Sequence, residues 1–209
     1  MSKFPGVIIL MLYYVSFLIG LTTGVDQDWF LRYGASFIYI NTVLIFFYQK
    51  EWNKATIKFF AACFVVGFSL ELILVKSNFI LGNYYFGDSL GLKIFGIPFV
   101  IGFYWLILSY SAGNLASKLP IRSFFGKVSA GAILQICLIL FILQFASRLD
   151  LWHLDPASDE IRYCIVWLLF GFVFQVYYHK LNIEKSNRIA SFVYGGLWIF
   201  FVGLLMFLK

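Results

Sequence analysis

Apolar runs of about 20 residues recur along this chain between short polar connections, and no other feature restricts its fold as much. A run of that length crosses the hydrocarbon core as a helix, because only a helix satisfies its own backbone N–H and C=O groups where water is missing. Seven spans are expected, at about Pro5 to Gly24, Leu31 to Tyr48, Ile57 to Val75, Phe95 to Leu115, Val128 to Ala146, Ile161 to Tyr178 and Ile189 to Leu208. At 62% hydrophobic and 12% charged, the 209 residues carry too little polar surface for a soluble globule. The expected architecture is all-α: a polytopic transmembrane bundle of about seven helices, a single integral membrane domain over residues 1–209 with the lipid bilayer around it. Lys3 ahead of a long apolar run imitates the start of a secretory signal, but the run is longer than a signal's apolar core and more spans follow. It is expected to stay as the first helix.

Loop charges give this map an orientation, since cytoplasmic loops collect Lys and Arg. The connections on the N-terminal side hold ten bases, from Lys3 to Arg188, against Glu51 and Glu184. The opposite side holds six, including Lys76, Lys93 and Lys209, against Asp26, Asp28, Asp88, Asp150, Asp155, Asp159 and Glu160. The two sides carry +8 and −1, and Glu71 inside a span completes the net +6. The N-terminus is therefore expected in the cytoplasm and the C-terminus outside.

Several function classes drop out. The bases are scattered through loops instead of gathered on one face with interleaved aromatics, so no nucleic-acid partner is expected. Cys63, Cys137 and Cys164 lie in three different apolar stretches without metal-ligand spacing and read as packing residues. His153 and His179 fall near span ends, which argues against a haem or di-metal site inside the bundle. The last span has no lysine for a retinal Schiff base, and no phosphate loop, catalytic serine motif or zinc-protease motif occurs. Neither a metal nor a cofactor is expected.

One carboxylate falls well inside a span: Glu71, in FVVGFSLELILV. An ionisable group at that depth is a functional candidate by default, the alternative being an interfacial residue paired with Lys76. The following stretch, NFILGNYYFGDSLGLKIFG from Asn78 to Gly96, mixes glycines with Tyr84, Tyr85 and Phe86. It reads either as a folded cap or re-entrant segment over the bundle, or as an interfacial aromatic belt with flexible glycines. The fourth span would align Pro98, Gly102, Trp105 and Ser109 on one face, beside Glu71 or against a neighbouring helix.

At Glu71, FILGNYYFG (Phe79 to Gly87), Leu90-Gly91, Gly96-Ile97-Pro98 and Trp105 the chain resembles a family of bacterial and archaeal membrane proteins of carotenoid biosynthesis. These are the carotenoid hydratases acting on γ-carotene or bisanhydrobacterioruberin. Weaker similarity reaches Asp28-Trp29-Phe30 and Leu149-Asp150-Leu151-Trp152. The resemblance implies a multi-pass protein of the bacterial cytoplasmic membrane that hydrates the terminal C1=C2 bond of an acyclic carotenoid end group, without a cofactor, to a tertiary alcohol. Glu71 would protonate the alkene, with Tyr84 and Tyr85 beside it in the catalytic group. Trp105, Pro98, Gly102, Asp88 and Asp150 would bind the polyene, and aromatic π faces would stabilise the cation.

The chain departs from that family in its fifth span, where relatives carry acids and this sequence offers Gln135 and Gln144. Asp150 and Asp155 could substitute from the outer loop, or serve as solvated loop residues, Asp155 opening an Asp-Pro turn. Two other readings follow. One is a non-catalytic carotenoid-binding or assembly protein. The other is a small proton-coupled transporter with Glu71 as its titrating group, although such proteins usually carry several intramembrane polar groups or inverted repeats.

Overall fold

The computed structural model describes residues 4–24, 26–77, 80–155 and 158–208. Lys3, Asn78, Phe79, Pro156 and Lys209 lie outside them. The helices are α1 (Phe4–Thr22), α2 (Gln27–Arg32), α3 (Gly34–Phe47), α4 (Lys54–Ser77), α5 (Ile101–Ala116), α6 (Phe124–Ala146), α7 (Ser158–Lys180) and α8 (Arg188–Phe207). Four short strands complete the described chain: β1 (Asn83–Phe86), β2 (Lys93–Ile94), β3 (Ile97–Pro98) and β4 (Trp152–Asp155).

Five helices, α1, α4, α6, α7 and α8, are long and apolar enough to cross a membrane. At 1.5 Å per residue, α3 and α5 run only about 21 and 24 Å, short of a hydrocarbon core of about 30 Å. The helix starts at α6 and α8 are capped, by Ser123 Oγ accepting Gly126 N–H (3.1 Å) and Asn187 Oδ1 accepting Ala190 N–H (3.4 Å).

The short helix α5 is the axis of the bundle. It packs against α3, α4, α6, α7 and α8, and nearly all its side chains are buried. Its largely apolar sequence suits a helix enclosed on every side. Its small residues Ser109, Ser111, Ala112, Gly113 and Ala116 let the neighbours approach closely.

Two expected span starts are corrected. The second span does not run on from Leu31, because α2 ends at Arg32 and a new helix begins at Gly34. The fourth does not begin at Phe95. Phe95 and Gly96 both take positive φ (55° and 89°) at the tip of the antiparallel β2–β3 hairpin, the geometry of a two-residue hairpin turn, and α5 starts only at Ile101. Pro98 therefore sits in β3 opposite Lys93 and does not share a helical face with Gly102, Trp105 and Ser109.

Each end of the bundle is laced by polar bonds. At one end, the Glu184 carboxylate accepts the N–H groups of Lys50 and Glu51 (3.1 and 3.0 Å), and Asn187 donates to Ile45 O (3.0 Å). At the other, β1 pairs antiparallel with β4, placing Tyr84 opposite Leu154, Tyr85 opposite His153 and Phe86 opposite Trp152. Ala35 N–H joins this cap by donating to Ser89 O (3.1 Å). The stretch between α4 and α5 is thus a folded cap closed by the chain between α6 and α7.

Candidate functional site

The buried side chains of α4, Thr56, Phe59, Phe60, Cys63, Gly67, Leu70, Glu71 and Leu74, recur at helical spacing and form one stripe. Glu71 is on that stripe, 0% exposed, and faces protein rather than lipid. Both of its oxygens accept a hydrogen bond: Tyr84 O–H donates to Oε2 at 2.7 Å, and Trp105 Nε1–H donates to Oε1 at 3.0 Å. Lys76, the interfacial partner considered from sequence, is exposed near the end of α4.

Strand alternation decides which tyrosine reaches the carboxyl group. In β1, Tyr84 and Phe86 point inward while Asn83 and Tyr85 point out. Tyr85 is 48% exposed and stacks on His153, with ring centroids 4.8 Å apart. The structure brings Glu71, Tyr84 and Trp105 together and leaves Tyr85 on the outer face of the cap.

The remaining candidates surround this centre without touching the carboxyl group. Gly102 is a packing notch: a Cβ there would meet the Phe64 ring at 2.6 Å. Pro98 is buried in β3. Asp88 is exposed, pairs with Lys93 at 2.6 Å and donates its backbone N–H to Asp150 Oδ2 at 2.7 Å. Asp150 also meets His153 Nε2 at 3.0 Å, so these two acids latch the cap. Partial burial pushes the Asp150 carboxyl up, but the His153 hydrogen bond, the Asp88 N–H and the nearby imidazole outweigh it and hold the group below its ordinary value. Asp155 contributes backbone to β4 opposite Asn83. Of the two glutamines of the fifth long segment, Gln135 is buried and Gln144 exposed.

Aromatic rings to which the sequence assigns no role enclose the site. Trp167 lies flat on Trp105, with centroids 3.5 Å apart and planes at 6°, and Tyr163 packs on Tyr84 at 5.5 Å. Both come from α7, one turn apart on its buried side. Tyr104 and Trp152 complete the wall. A Tyr or Trp deep in an apolar span keeps a polar atom that must be accounted for, and that was the available signal.

Tyr104 and Trp152 also line an almost wholly apolar cavity of about 80 Å³ among α1, α2, α3, α5 and α8, with Phe37, Ile107 and Leu197 in its wall. Apolar cavities of this order stay dry and accept apolar groups. A buried carboxyl group therefore stands behind an aromatic wall that is shared with an apolar chamber. Among the described residues no group of three or more His, Cys, Asp or Glu side chains is gathered to hold a metal ion.

A family model described as carotenoid biosynthesis protein matches residues 33–183. No curated protein and no solved structure matches the chain.

Proposed function

Because this chain belongs to the family of carotenoid biosynthesis proteins, as the match over residues 33–183 establishes, we propose that it adds water to the terminal C1=C2 bond of an acyclic carotenoid end group. The observation that carries the reading is the bonding of Glu71, the only carboxyl group among the described buried side chains, to Tyr84 and Trp105 inside an aromatic enclosure beside an apolar cavity.

In this reading the end group comes from the apolar cavity past Tyr104 and Trp152 to Glu71, which in its protonated form gives its hydrogen to C2, leaving a tertiary cation at C1. The faces of the surrounding tryptophans and tyrosines stabilise that cation. Tyr84 and Trp105 fix the carboxyl group and stabilise its charge once the proton has left. Water then attacks C1, and its spare proton restores Glu71. Asp88 and Asp150 serve the site by holding the cap, Pro98 and Gly102 by packing its α4 side. Tyr85 shields the outer face.

The bundle crosses the cytoplasmic membrane seven times in this reading, with α3 and α5 as the short crossings, the N-terminus inside and the C-terminus outside. Support comes from the pairing of its ends: loops of the basic set, around Lys50 and Glu184, bond to one another, and so do loops of the acidic set, around Asp88 and Asp150.

Expression of Glu71→Gln in a host that accumulates lycopene or γ-carotene tests the reaction. Wild type is expected to yield hydroxycarotenoid and the variant none; undiminished hydroxycarotenoid from the variant overturns the assignment. Because α6 supplies buried Gln135 and no carboxyl group, a non-catalytic carotenoid-binding protein is the second reading. It requires pigment that co-purifies with wild type chemically unchanged.

A further inference from the structure

Four polar atoms near Glu71 have no partner at hydrogen-bond distance among the described residues: Tyr104 Oη, Trp152 Nε1, Tyr163 Oη and Trp167 Nε1, of which Tyr163 Oη lies in looser reach of Glu71, Tyr84 and the Trp167 N–H. All four side chains are at most 8% exposed. Their rings close a circuit, with centroids 6.0 Å apart from Tyr104 to Trp152, 5.9 Å to Tyr163, 6.1 Å to Trp167 and 5.6 Å back to Tyr104. Tyr104 and Tyr163 are each in electrostatic reach of Glu71. Phenylalanine would fill the same volume without a polar atom. Buried N–H and O–H groups in folded proteins find partners, and where the protein supplies none, ordered water does.

We propose that this ring holds the water that is added to the polyene, a role that rests on the hydratase reading. Water that gives its hydrogens to the two tyrosine oxygens and receives one indole N–H keeps a lone pair free for carbon. The π pair of C1=C2 takes the Glu71 proton to form the C2–H bond. The water lone pair then forms the C1–O bond, and the oxonium proton goes to the Glu71 carboxylate, so one H₂O is added and nothing is oxidised or reduced. Tyr104 and Trp152 belong both to the ring and to the apolar cavity, so water and end group meet across a shared wall.

Without that water, the cation has one other exit: it returns a proton and becomes alkene again. Lycopene supplied in proteoliposomes in D₂O separates the two steps, because each protonation delivers deuterium to C2. The double variant Tyr104→Phe/Tyr163→Phe is expected to lower alcohol formation roughly tenfold or more, while deuterium still enters the recovered lycopene. Retained exchange also shows that the variant is folded. Alcohol formation at the wild-type level, or alcohol and exchange falling together, overturns the water-holding role. Glu71→Gln should lose both signals. If it keeps them, or if wild type makes no alcohol, the hydratase reading itself fails.

Discussion

Gly67 and Trp105 meet where nothing larger than hydrogen fits: a Cβ at Gly67 would stand 2.4 Å from Trp105 Cγ. That contact lets the indole lie against α4 and put its N–H on Glu71, one turn further along the same helical face. Gly102 does the reverse, opening α5 to Phe64 of α4. The α4–α5 interface is thus a pair of interlocking notches, and the orientation of the Glu71 carboxyl group depends on one of them.

Gly67→Ala should therefore act on the site through packing. Forcing a methyl group into this notch is expected to cost about 1–3 kcal/mol of stability and to displace the indole from Glu71. Thermal unfolding in detergent and hydroxycarotenoid yield should both fall. Trp105→Phe should lower yield with a smaller loss of stability, since it removes the N–H and keeps most of the ring. A Gly67→Ala protein as stable and active as wild type sinks the notch argument.

The adjacent tyrosines give a sharper contrast. Tyr84→Phe removes a hydrogen bond to a buried carboxyl group, an interaction of about 1.5–3 kcal/mol if the group is charged, and should cut product formation tenfold or more. Tyr85→Phe keeps the ring that stacks on His153 and should leave product formation within about twofold. Equal effects in the two variants would mean that strand alternation does not sort their roles.

Glu71, Tyr84 and Trp105 were legible as candidates because an acid in an apolar run, a Gly-aromatic loop and a tryptophan beside it stand out as residue types. Their union was not, since it depends on β1 pairing with β4 across 66 to 72 residues of sequence, from Phe86 with Trp152 to Asn83 with Asp155. Apolar periodicity starts the second span at Leu31, inside α2, because a single break at Tyr33 leaves an apolar run intact. Tyr163 and Trp167 were passed over because aromatic residues are ordinary in spans, and their unpaired polar atoms become visible only with burial.

The cap latch should be sensitive to acid. Because contacts in the folded protein hold the Asp150 carboxyl below its ordinary value, it contributes stability that is present above about pH 4 and lost as pH falls through the folded value. The Asp150 side chain is 45% exposed, so solvent screening keeps the contribution modest. Asp150→Asn should remove this acid-dependent component and speed hydrogen exchange at the backbone N–H of Asp88 and Gly87. Unchanged exchange there would show that the cap does not need the latch.

The fifth long segment, α6, carries glutamines and no carboxyl group. Gln135 of α6 lies over Gly171 of α7 (3.4 Å from a Cβ built there), while Gln175 of α7 fills the notch at Gly131 of α6 (2.3 Å from a Cβ built there), so two glutamines one turn apart interlock two helices. They are not equivalent. Gln175 Nε2 donates to Ser109 O at 2.9 Å, whereas both amide atoms of Gln135 lack a partner among the described residues. A buried amide without partners costs about 1–3 kcal/mol, and an apolar side chain of similar size relieves that cost. Gln135→Leu should accordingly hold or raise the unfolding temperature, while Gln175→Leu should lower it by the loss of its bond. If Gln135→Leu proves the more damaging, the amide has partners in the membrane, and α6 contributes to function through it after all.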